Sequence, residues 1–254
     1  MSAGNTKGMA RQSRAPVILL TRPLPQSQRF AAQLSARWPD VTCVVAPLMA
    51  PTFLTPKWPE ANFAALVLTS ETAVEAARRI SATGIPLPTR AFCVGDHTAT
   101  VAQAAGFDTL SARGRADDLV ALIAAHPPAG PLLFLRGQDT TGDLENRLNL
   151  AGTETVSAIV YAQSPQPFSP QATALLQGKD PVIVPLFSPR SAGLFVMEHR
   201  RIQATAPLWL AAISPAVAQI AMGLTPVRLQ TALQPDANAM VTAVAMLMAD
   251  GMGS

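Results

Sequence analysis

The chain has 254 residues, of which 49% are apolar and 14% charged, with a formal net charge of +3. This length suits one large α/β domain or two small ones, and the apolar share excludes a disordered chain. No run approaches the roughly 18 uninterrupted apolar residues of a membrane span. No Lys/Arg block marks a nucleic-acid surface, and the modest positive charge favours a small anionic ligand.

The N-terminal stretch "MSAGNTKGMARQSR" is polar and basic and lacks the apolar segment of a secretory signal, so we expect a frayed tail, with an organelle-targeting segment as the alternative. Cys43 and Cys93 each lie inside an apolar, strand-like run. Such positions favour free thiols that behave as small hydrophobes, and they fit a reducing cytoplasm. The three histidines share no metal-ligand spacing, so we expect no metal site.

Apolar runs alternate with helical patterns from the first ordered residues onward. "APVILLTRPLP" predicts a buried strand and a turn, "QSQRFAAQLSARW" predicts the first helix, and "VTCVVAPLM" predicts a second strand. Residues 51–59 contain three prolines without periodicity, which predicts a loop. "ALVLTS" then predicts a strand and "ETAVEAARRI" a helix, with Ser70 as its N-cap.

The same order recurs along the rest of the chain. It passes through "RAFCVGDHTATVAQAAGF", "DDLVALIAAH", "PLLFLRGQDTTGDLENRLNLAG" and the strand "TETVSAIVYAQ". After the proline-rich break "SPQPFSP", four helices alternate with three strands up to the C-terminal "NAMVTAVAMLMADGM". This alternation predicts parallel sheets with right-handed crossovers, and it places functional loops at the carboxyl ends of the strands.

One part of this pattern is duplicated. Ser70 and Gly95 are 25 positions apart, each at a hinge between a strand and a helix, and Ser188 and Ser214 repeat the arrangement 26 positions apart. Two copies of strand, hinge and helix at nearly equal spacing predict two similar α/β lobes. We therefore expect Ser70 and Ser188 on opposite walls of a shared cleft.

Familiar catalytic motifs are missing from the sequence. It contains no glycine-rich dinucleotide fingerprint, no P-loop and no Gly-x-Ser-x-Gly nucleophile elbow. The hinges "TSET", "GDHT", "SPRS" and "SPAV" instead offer helix N-termini and small hydroxyls, which suit a ligand that carries carboxylates. A Ser or Thr at any one of these hinges more often serves only its own helix, so the convergence of several hinges on one cleft carries the argument.

An ordered set of short motifs resembles the uroporphyrinogen-III synthase family from about Leu19 to Pro235. The motifs are "ILLTRP", "LVLTSETAV", "CVGDHTA" with "AAGF", "LLFLRG", "IVY", "FSPRSA" and "AAISPAVA". The resemblance implies two parallel-sheet α/β lobes joined by a two-stranded linker, with a cleft between them. Residues 1–47 with 165–254 would form the outer lobe and residues 48–164 the inner lobe, linked by "CVVAP" and "IVYAQ".

The resemblance also implies the reaction. Hydroxymethylbilane would be cyclised with loss of water and inversion of ring D, giving uroporphyrinogen III for haem biosynthesis without a metal or organic cofactor. The partner would be this small-molecule substrate, and delivery by hydroxymethylbilane synthase stays open; we expect no nucleic-acid or membrane partner. The implied protein is a cytoplasmic lyase, and nothing in the sequence argues against a monomer.

Site residues follow from the same resemblance. Tyr161, the only tyrosine of the chain, matches the family's cleft tyrosine, which is proposed to assist departure of the hydroxyl. Val217 stands where many members have threonine, which puts one hydroxyl contact in doubt. The implied substrate-binding residues are Thr21, Arg22, Ser70, Gly95, His97, Thr98, Arg136, Gly137, Ser188, Arg190, Ser191 and Ser214.

A non-catalytic reading of the sequence stays open. A bilobal binding protein could use the same hinges to hold a carboxylate-rich ligand without any chemistry. Tyr161 discriminates between the two interpretations, because a Tyr161→Phe change would lower turnover only in an enzyme.

Overall fold

The computed structural model describes residues 16–139 and 142–251, except for the side chains of residues 250 and 251. The predicted frayed tail and the last residue of the predicted C-terminal helix lie outside this part of the chain. Packing divides the chain into two compact units. The terminal unit holds the described residues up to Ala50 and those from Pro165 onward, and the central unit holds Pro51–Ser164.

Strands and α-helices alternate along the described residues. The strands are β1 (Val17–Leu20), β2 (Cys43–Val45), β3 (Met49–Phe53), β4 (Ala65–Leu68), β5 (Arg90–Cys93), β6 (Asp108–Ser111), β7 (Leu132–Gly137), β8 (Thr155–Pro165), β9 (Val182–Leu186), β10 (Leu208–Ala212) and β11 (Arg228–Thr231). The helices are α1 (Leu24–Arg37), α2 (Glu71–Ala82), α3 (Asp96–Ala104), α4 (Ala116–Ala125), α5 (Leu144–Leu150), α6 (Pro170–Leu176), α7 (Pro189–Arg201), α8 (Pro215–Ala221) and α9 (Ala237–Gly251). A short 3-10 helix, Met222–Leu224, follows α8.

The terminal unit is built on a five-stranded parallel sheet in the order β11-β10-β9-β1-β2. Strands β9 and β10 are buried along their whole length, because helices cover both faces of a parallel sheet. One face packs with Phe195 of α7 and Val217 of α8. The other face packs with Phe30 of α1 and Val244 of α9.

The central unit is built on a six-stranded sheet in the order β3-β8-β7-β4-β5-β6. The pairs from β8 to β6 are parallel. Helices α2 and α3 pack on one face, with Val74 and Ala102 in the core, whereas α4 and α5 cover the other face with Ile123 and Leu148. Two helix-covered sheets dominated by parallel strands confirm the predicted fold class.

Two predictions about the connecting segments are wrong. Residues 51–53, predicted as loop, belong to strand β3, which accommodates Pro51 because an edge strand does not need every backbone donor. The "CVVAP" segment is not a linking strand, since its Cys43–Val45 portion forms β2 and pairs with β1 in the terminal unit. The chain instead passes between the units within β3 and β8. The predicted lobe boundaries, residues 1–47 with 165–254 for the outer lobe and residues 48–164 for the inner lobe, stay a prediction.

Both cysteines are free thiols, as predicted. Cys93 is fully buried, and burial raises the pKa of its thiol to about 11, so the thiol stays protonated at neutral pH. None of the described helices has the length and apolar character needed to cross a membrane.

Candidate active site

Site residues of the central unit meet at one edge of its sheet. Parallel strands end at the same edge, and Ser70 follows β4, Gly95 follows β5, and Gly137 ends β7. Ser70 and Gly95 are the N-caps of α2 and α3. This edge therefore combines two helix N-termini with strand ends whose backbone a ligand can approach.

Tyr161 lies across the end of β7. It pairs with Gly137 in the β7–β8 register, next to an irregularity between Arg136 and Gly137. A methyl group placed on Gly137 would lie 2.8 Å from both Cε2 and Cζ of Tyr161 and 3.1 Å from its hydroxyl. The phenol ring therefore occupies the space that any other residue at position 137 would fill. The backbone is held there by Gln138 N, which donates to Tyr161 O at 2.8 Å.

Ser70 contacts the phenol from the end of β4, which lies on the other side of β7 from the tyrosine's strand β8. Its Oγ lies 3.1 Å from the Tyr161 hydroxyl oxygen, although the two residues are 91 positions apart. The same Oγ accepts a hydrogen bond of 3.1 Å from the backbone N–H of Ala73, which caps α2. The Ser70 hydroxyl therefore serves both its own helix and the tyrosine.

A second contact joins the first turns of α2 and α3. His97 Nε2 lies 3.1 Å from Glu71 Oε2, and the Glu71 side chain is only 16% exposed. Gly95 has no side chain to cap α3, and a methyl group built on it would meet nothing within 4 Å. The N-terminus of α3 thus has open space at Gly95, while the Thr98 side chain in its first turn is buried. The half-buried Arg136 donates from Nη1 to the Gly137 carbonyl at 3.1 Å.

In the terminal unit, the predicted serines cap their own helices. Ser188 and Ser191 form a reciprocal capping box at the start of α7, with Ser191 N donating to Ser188 Oγ at 3.1 Å and Ser188 N to Ser191 Oγ at 3.2 Å. Ser214 Oγ accepts from Val217 N at 3.4 Å at the start of α8. Arg190 is exposed in the first turn of α7. The hydroxyl oxygens at these hinges are thus used within the helices.

Arg22 follows β1 at the same edge of the terminal sheet. Its guanidinium carbon lies 4.0 Å from the centroid of the Phe187 ring, and the side chain forms no ion pair with any described carboxylate. Burial, and then the nearby charge of Arg29, lower the Arg22 pKa from its usual value. A desolvated cation that stacks on an aromatic ring in this way is prepared to receive an anion.

A cavity beside Arg22 offers space for an anionic group next to the guanidinium. It has a volume of about 160 Å³ and includes Gln26, Arg29 and Gln33 in its lining. Next to Arg22, the Thr21 side chain is 1% exposed, and its Oγ1 finds no hydrogen-bond partner in the described structure. Gln26 Oε1 is likewise buried without a partner among the described residues.

The structure thus brings Ser70, Gly137 and Tyr161 into contact in one unit and Ser188 and Ser191 in the other. The sequence analysis missed Glu71 and Phe187, which contact the predicted residues His97 and Arg22. Counting residues from the strand ends could have suggested Phe187, because it directly precedes Ser188. No group of three or more His, Cys, Asp or Glu side chains in the described residues is arranged to hold a metal ion.

Two units, each built on a sheet dominated by parallel strands with polar residues at the strand ends, define a two-unit α/β protein. A family model described as uroporphyrinogen-III synthase HemD matches residues 29–242. The chain belongs to the uroporphyrinogen-III synthase family, which comprises cyclising enzymes of the lyase class. The resemblance drawn from the short motifs is therefore confirmed.

A solved structure shares the fold. The uroporphyrinogen-III synthetase of Helicobacter pylori 26695 is 16% identical and matches with a TM-score of 0.59 over 91% of this chain and 99% of that chain. A mutant uroporphyrinogen III synthase from Thermus thermophilus is 15% identical and matches with a TM-score of 0.46 over 92% of this chain and 99% of that chain. The wild-type Thermus thermophilus enzyme is 17% identical and matches with a TM-score of 0.41 over 93% of this chain and 100% of that chain. No curated protein matches the chain.

Proposed function

We propose that this chain cyclises hydroxymethylbilane to uroporphyrinogen III, with Tyr161 assisting departure of the substrate's hydroxyl group. Family membership supports the reaction and does not favour the non-catalytic binding protein. The observation that carries the residue assignment is the contact of the Tyr161 hydroxyl with Ser70 Oγ at 3.1 Å, directly over Gly137. When the Ser70 hydroxyl donates in this contact, the phenol keeps its single proton and can donate it to a group placed at the sheet edge.

The proposed chemistry needs little acid–base power from the protein. The Tyr161 hydroxyl donates a hydrogen bond and then a proton to the departing hydroxyl, which leaves as water while the electron-rich pyrrole forms an azafulvene cation. The substituted carbon of the last ring attacks this cation and forms a spiro intermediate, which rearranges to the inverted ring. Final closure releases one proton from the macrocycle, which restores the phenol, so the net change is the loss of one water. The protein contributes mainly the orientation of the reacting carbons.

The substrate's acetates and propionates explain the remaining residues. We propose that Arg22 binds a carboxylate in the terminal unit and that the uncapped N-terminus of α3 at Gly95 receives one in the central unit. Ser214 accepts a bond from its own helix but keeps its proton, which it can donate to a carboxylate. The other predicted contacts of this kind are Thr21, His97, Thr98, Arg136, Arg190 and Ser191.

The supply of substrate is a further part of the proposal. We propose that the chain works in the cytoplasm and receives hydroxymethylbilane from hydroxymethylbilane synthase. The measurement is the initial rate of isomer III formation from hydroxymethylbilane made in place by the synthase, compared with the rate from free hydroxymethylbilane at the same concentration. A faster rate with the synthase present supports direct transfer, and equal rates contradict it.

The activity itself is tested by a coupled assay. Porphobilinogen is converted by hydroxymethylbilane synthase in the presence of this protein, the product is oxidised, and the porphyrin isomers are separated by chromatography. We expect mainly isomer III with the active protein and isomer I with the heat-inactivated protein. Persistence of isomer I, in an assay where an authentic uroporphyrinogen-III synthase gives isomer III, would contradict the proposal.

A further inference from the structure

We infer that Ser70 and Gly137 are positioning residues that hold the Tyr161 hydroxyl in place, instead of substrate-binding residues in their own right. This inference rests on the proposed function of Tyr161. It changes the roles that the family resemblance implied for both residues. Three separate features of the structure support it: the space above Gly137, the two bonds of Ser70, and the β7–β8 register.

Gly137 supplies the space for the ring. A methyl group at this position would lie 2.8 Å from two ring carbons of Tyr161, which is closer than nonbonded carbons approach each other. The φ angle of Gly137 is not in the left-handed region, so the backbone conformation itself does not require glycine. The requirement for glycine therefore comes from the tyrosine ring.

Ser70 fixes the end of the ring. Its Oγ is held by the backbone N–H of Ala73 at 3.1 Å, and the same atom lies 3.1 Å from the Tyr161 hydroxyl. The serine side chain is thereby fixed to a helix N-terminus before it meets the phenol. The hydroxyl of Tyr161 is thus located by two constraints, a ring resting on Gly137 and a hydrogen bond to a side chain that cannot rotate freely.

The register of strands β4, β7 and β8 explains why Gly137 and Ser70 both constrain the Tyr161 hydroxyl. Leu68 of β4 pairs with Leu135 of β7, two residues before Ser70 and Gly137 respectively, and Gly137 pairs with Tyr161 of β8. The three residues therefore form one row across three adjacent strands. A substrate that reaches Tyr161 needs no direct contact with either neighbour.

The chain offers a matched control for each residue. Ser169 caps α6 as Ser70 caps α2, accepting from Ala172 N at 3.2 Å, but it has no tyrosine partner. Gly193 lies in α7, and a methyl group there would meet nothing within 4 Å. Ser169→Ala therefore removes only a helix cap, and Gly193→Ala adds a methyl group without a steric conflict.

The kinetic test compares the variants in two backgrounds. We expect Ser70→Ala and Gly137→Ala each to lower kcat for isomer III by about tenfold, with KM changed by less than about threefold. Ser70→Thr should recover most of the rate because it keeps the hydroxyl. In a Tyr161→Phe background, either change should lower kcat by less than about twofold, since the hydroxyl they position is absent. A tenfold loss that persists in this background would overturn the inference, as would unchanged kcat in the wild-type background.

The spectroscopic test does not depend on activity. Tyr161 is the only tyrosine, so protein labelled with ¹³C at the tyrosine Cζ gives a single side-chain resonance to follow. Ser70→Ala and Gly137→Ala should each shift this resonance, whereas Ser169→Ala and Gly193→Ala should leave it in place. An unmoved resonance in the first two variants would overturn the inference even if the wild-type protein forms isomer III. If the wild-type protein forms only isomer I, the proposed function fails and the resonance still reports whether the two residues position the ring.

Discussion

The two units contain the same series of elements but use it differently. In the central unit the series is β4–α2–β5–α3–β6, with β7 beside β4, and in the terminal unit it is β9–α7–β10–α8–β11, with β1 beside β9. The first cap is serine in both. Ser70 shares its Oγ between its helix and Tyr161, whereas Ser188 bonds within its own capping box with Ser191.

The residues at the carboxyl ends of β7 and β1 account for this difference. Ile18 pairs with Ile183, so Pro23 and Ser188, each five residues further along, stand at matching register positions. In the central unit, the residue at the position that matches Ser70 is Gly137. The absence of a side chain at Gly137 leaves room for the tyrosine ring. The terminal unit instead presents Arg22, stacked on Phe187, at the edge of its sheet. Under the proposed roles, one framework carries the reacting group in one copy and the contact with ligand charge in the other.

The largest expected effect comes from replacing Tyr161, the only tyrosine of the chain, which lies in the central unit. Tyr161→Phe should lower kcat for isomer III by about 10²-fold, because the departing hydroxyl loses its proton donor, while KM changes by less than about threefold. The measurement is the initial rate in the coupled assay over a range of substrate concentrations. Unchanged kcat would show that the two units do not divide the work in this way.

A change in the terminal unit should affect binding instead. Arg22→Gln should raise KM by about tenfold, because a charge-assisted bond to a carboxylate is lost, and should leave kcat within about twofold. The control is Arg37→Gln, because the Arg37 guanidinium also lies over an aromatic ring, that of Trp38, but on an exposed side chain. A fall in kcat at constant KM for Arg22→Gln would contradict the assignment.

Replacement of the N-cap serine should reduce stability in the terminal unit, whereas in the central unit it should also reduce kcat. Ser188→Ala should lower the free energy of unfolding by about 1 kcal/mol, the typical contribution of an N-cap, and leave kcat within about twofold. Urea unfolding and the coupled assay check the two halves of this prediction. Ser169→Ala should show the same loss of stability, since it caps another helix of the terminal unit. A loss of kcat as large as that of Ser70→Ala would remove the distinction between the units.

The smallest expected effect concerns the helix that carries Ser70. Bonds from Arg78, and then from Arg79, outweigh burial and lower the pKa of Glu75 to about 2. This pair is largely exposed, so Glu75→Gln should lower the free energy of unfolding at neutral pH by less than about 1 kcal/mol.

The contribution of Glu75 to the free energy of unfolding should depend on pH. Because the pKa is depressed in the folded protein, the stabilisation is present above the unfolded value of 4.5 and is lost as the pH falls towards 2. Urea unfolding of the wild type and the variant should therefore converge at acid pH. Glu60→Gln serves as the control, because Glu60 is exposed and in no ion pair with a described residue. A difference that grows as the pH falls would contradict the assignment.

Local patterns predicted most of the elements and the helix caps. Apolar periodicity placed α1, α2 and the buried strands, and Ser70, Ser188 and Ser214 are N-caps as their sequence context indicates. Strands β3 and β6 were missed because they lie at sheet edges, where short strands carry proline or polar residues and show no apolar run.

The contacts of the site depend on features that local patterns do not contain. Ser70 and Tyr161 meet across 91 positions because β7 lies between their strands and a register irregularity falls beside Gly137. The stacking of Arg22 on Phe187 likewise depends on the pairing of β1 with β9. Tyr161 itself was identified through the family resemblance, because a tyrosine at the end of an apolar strand has no local signature of catalysis.

The most direct test of this division of labour is a single-turnover measurement of isomer III formation. The wild type, Tyr161→Phe and Arg22→Gln would each be mixed, in large excess, with freshly prepared hydroxymethylbilane. We expect the rate constant to fall by about 10²-fold for Tyr161→Phe and to change by less than about twofold for Arg22→Gln once the substrate is fully bound. Equal rate constants for Tyr161→Phe and the wild type, or a large fall for Arg22→Gln alone, would contradict the account.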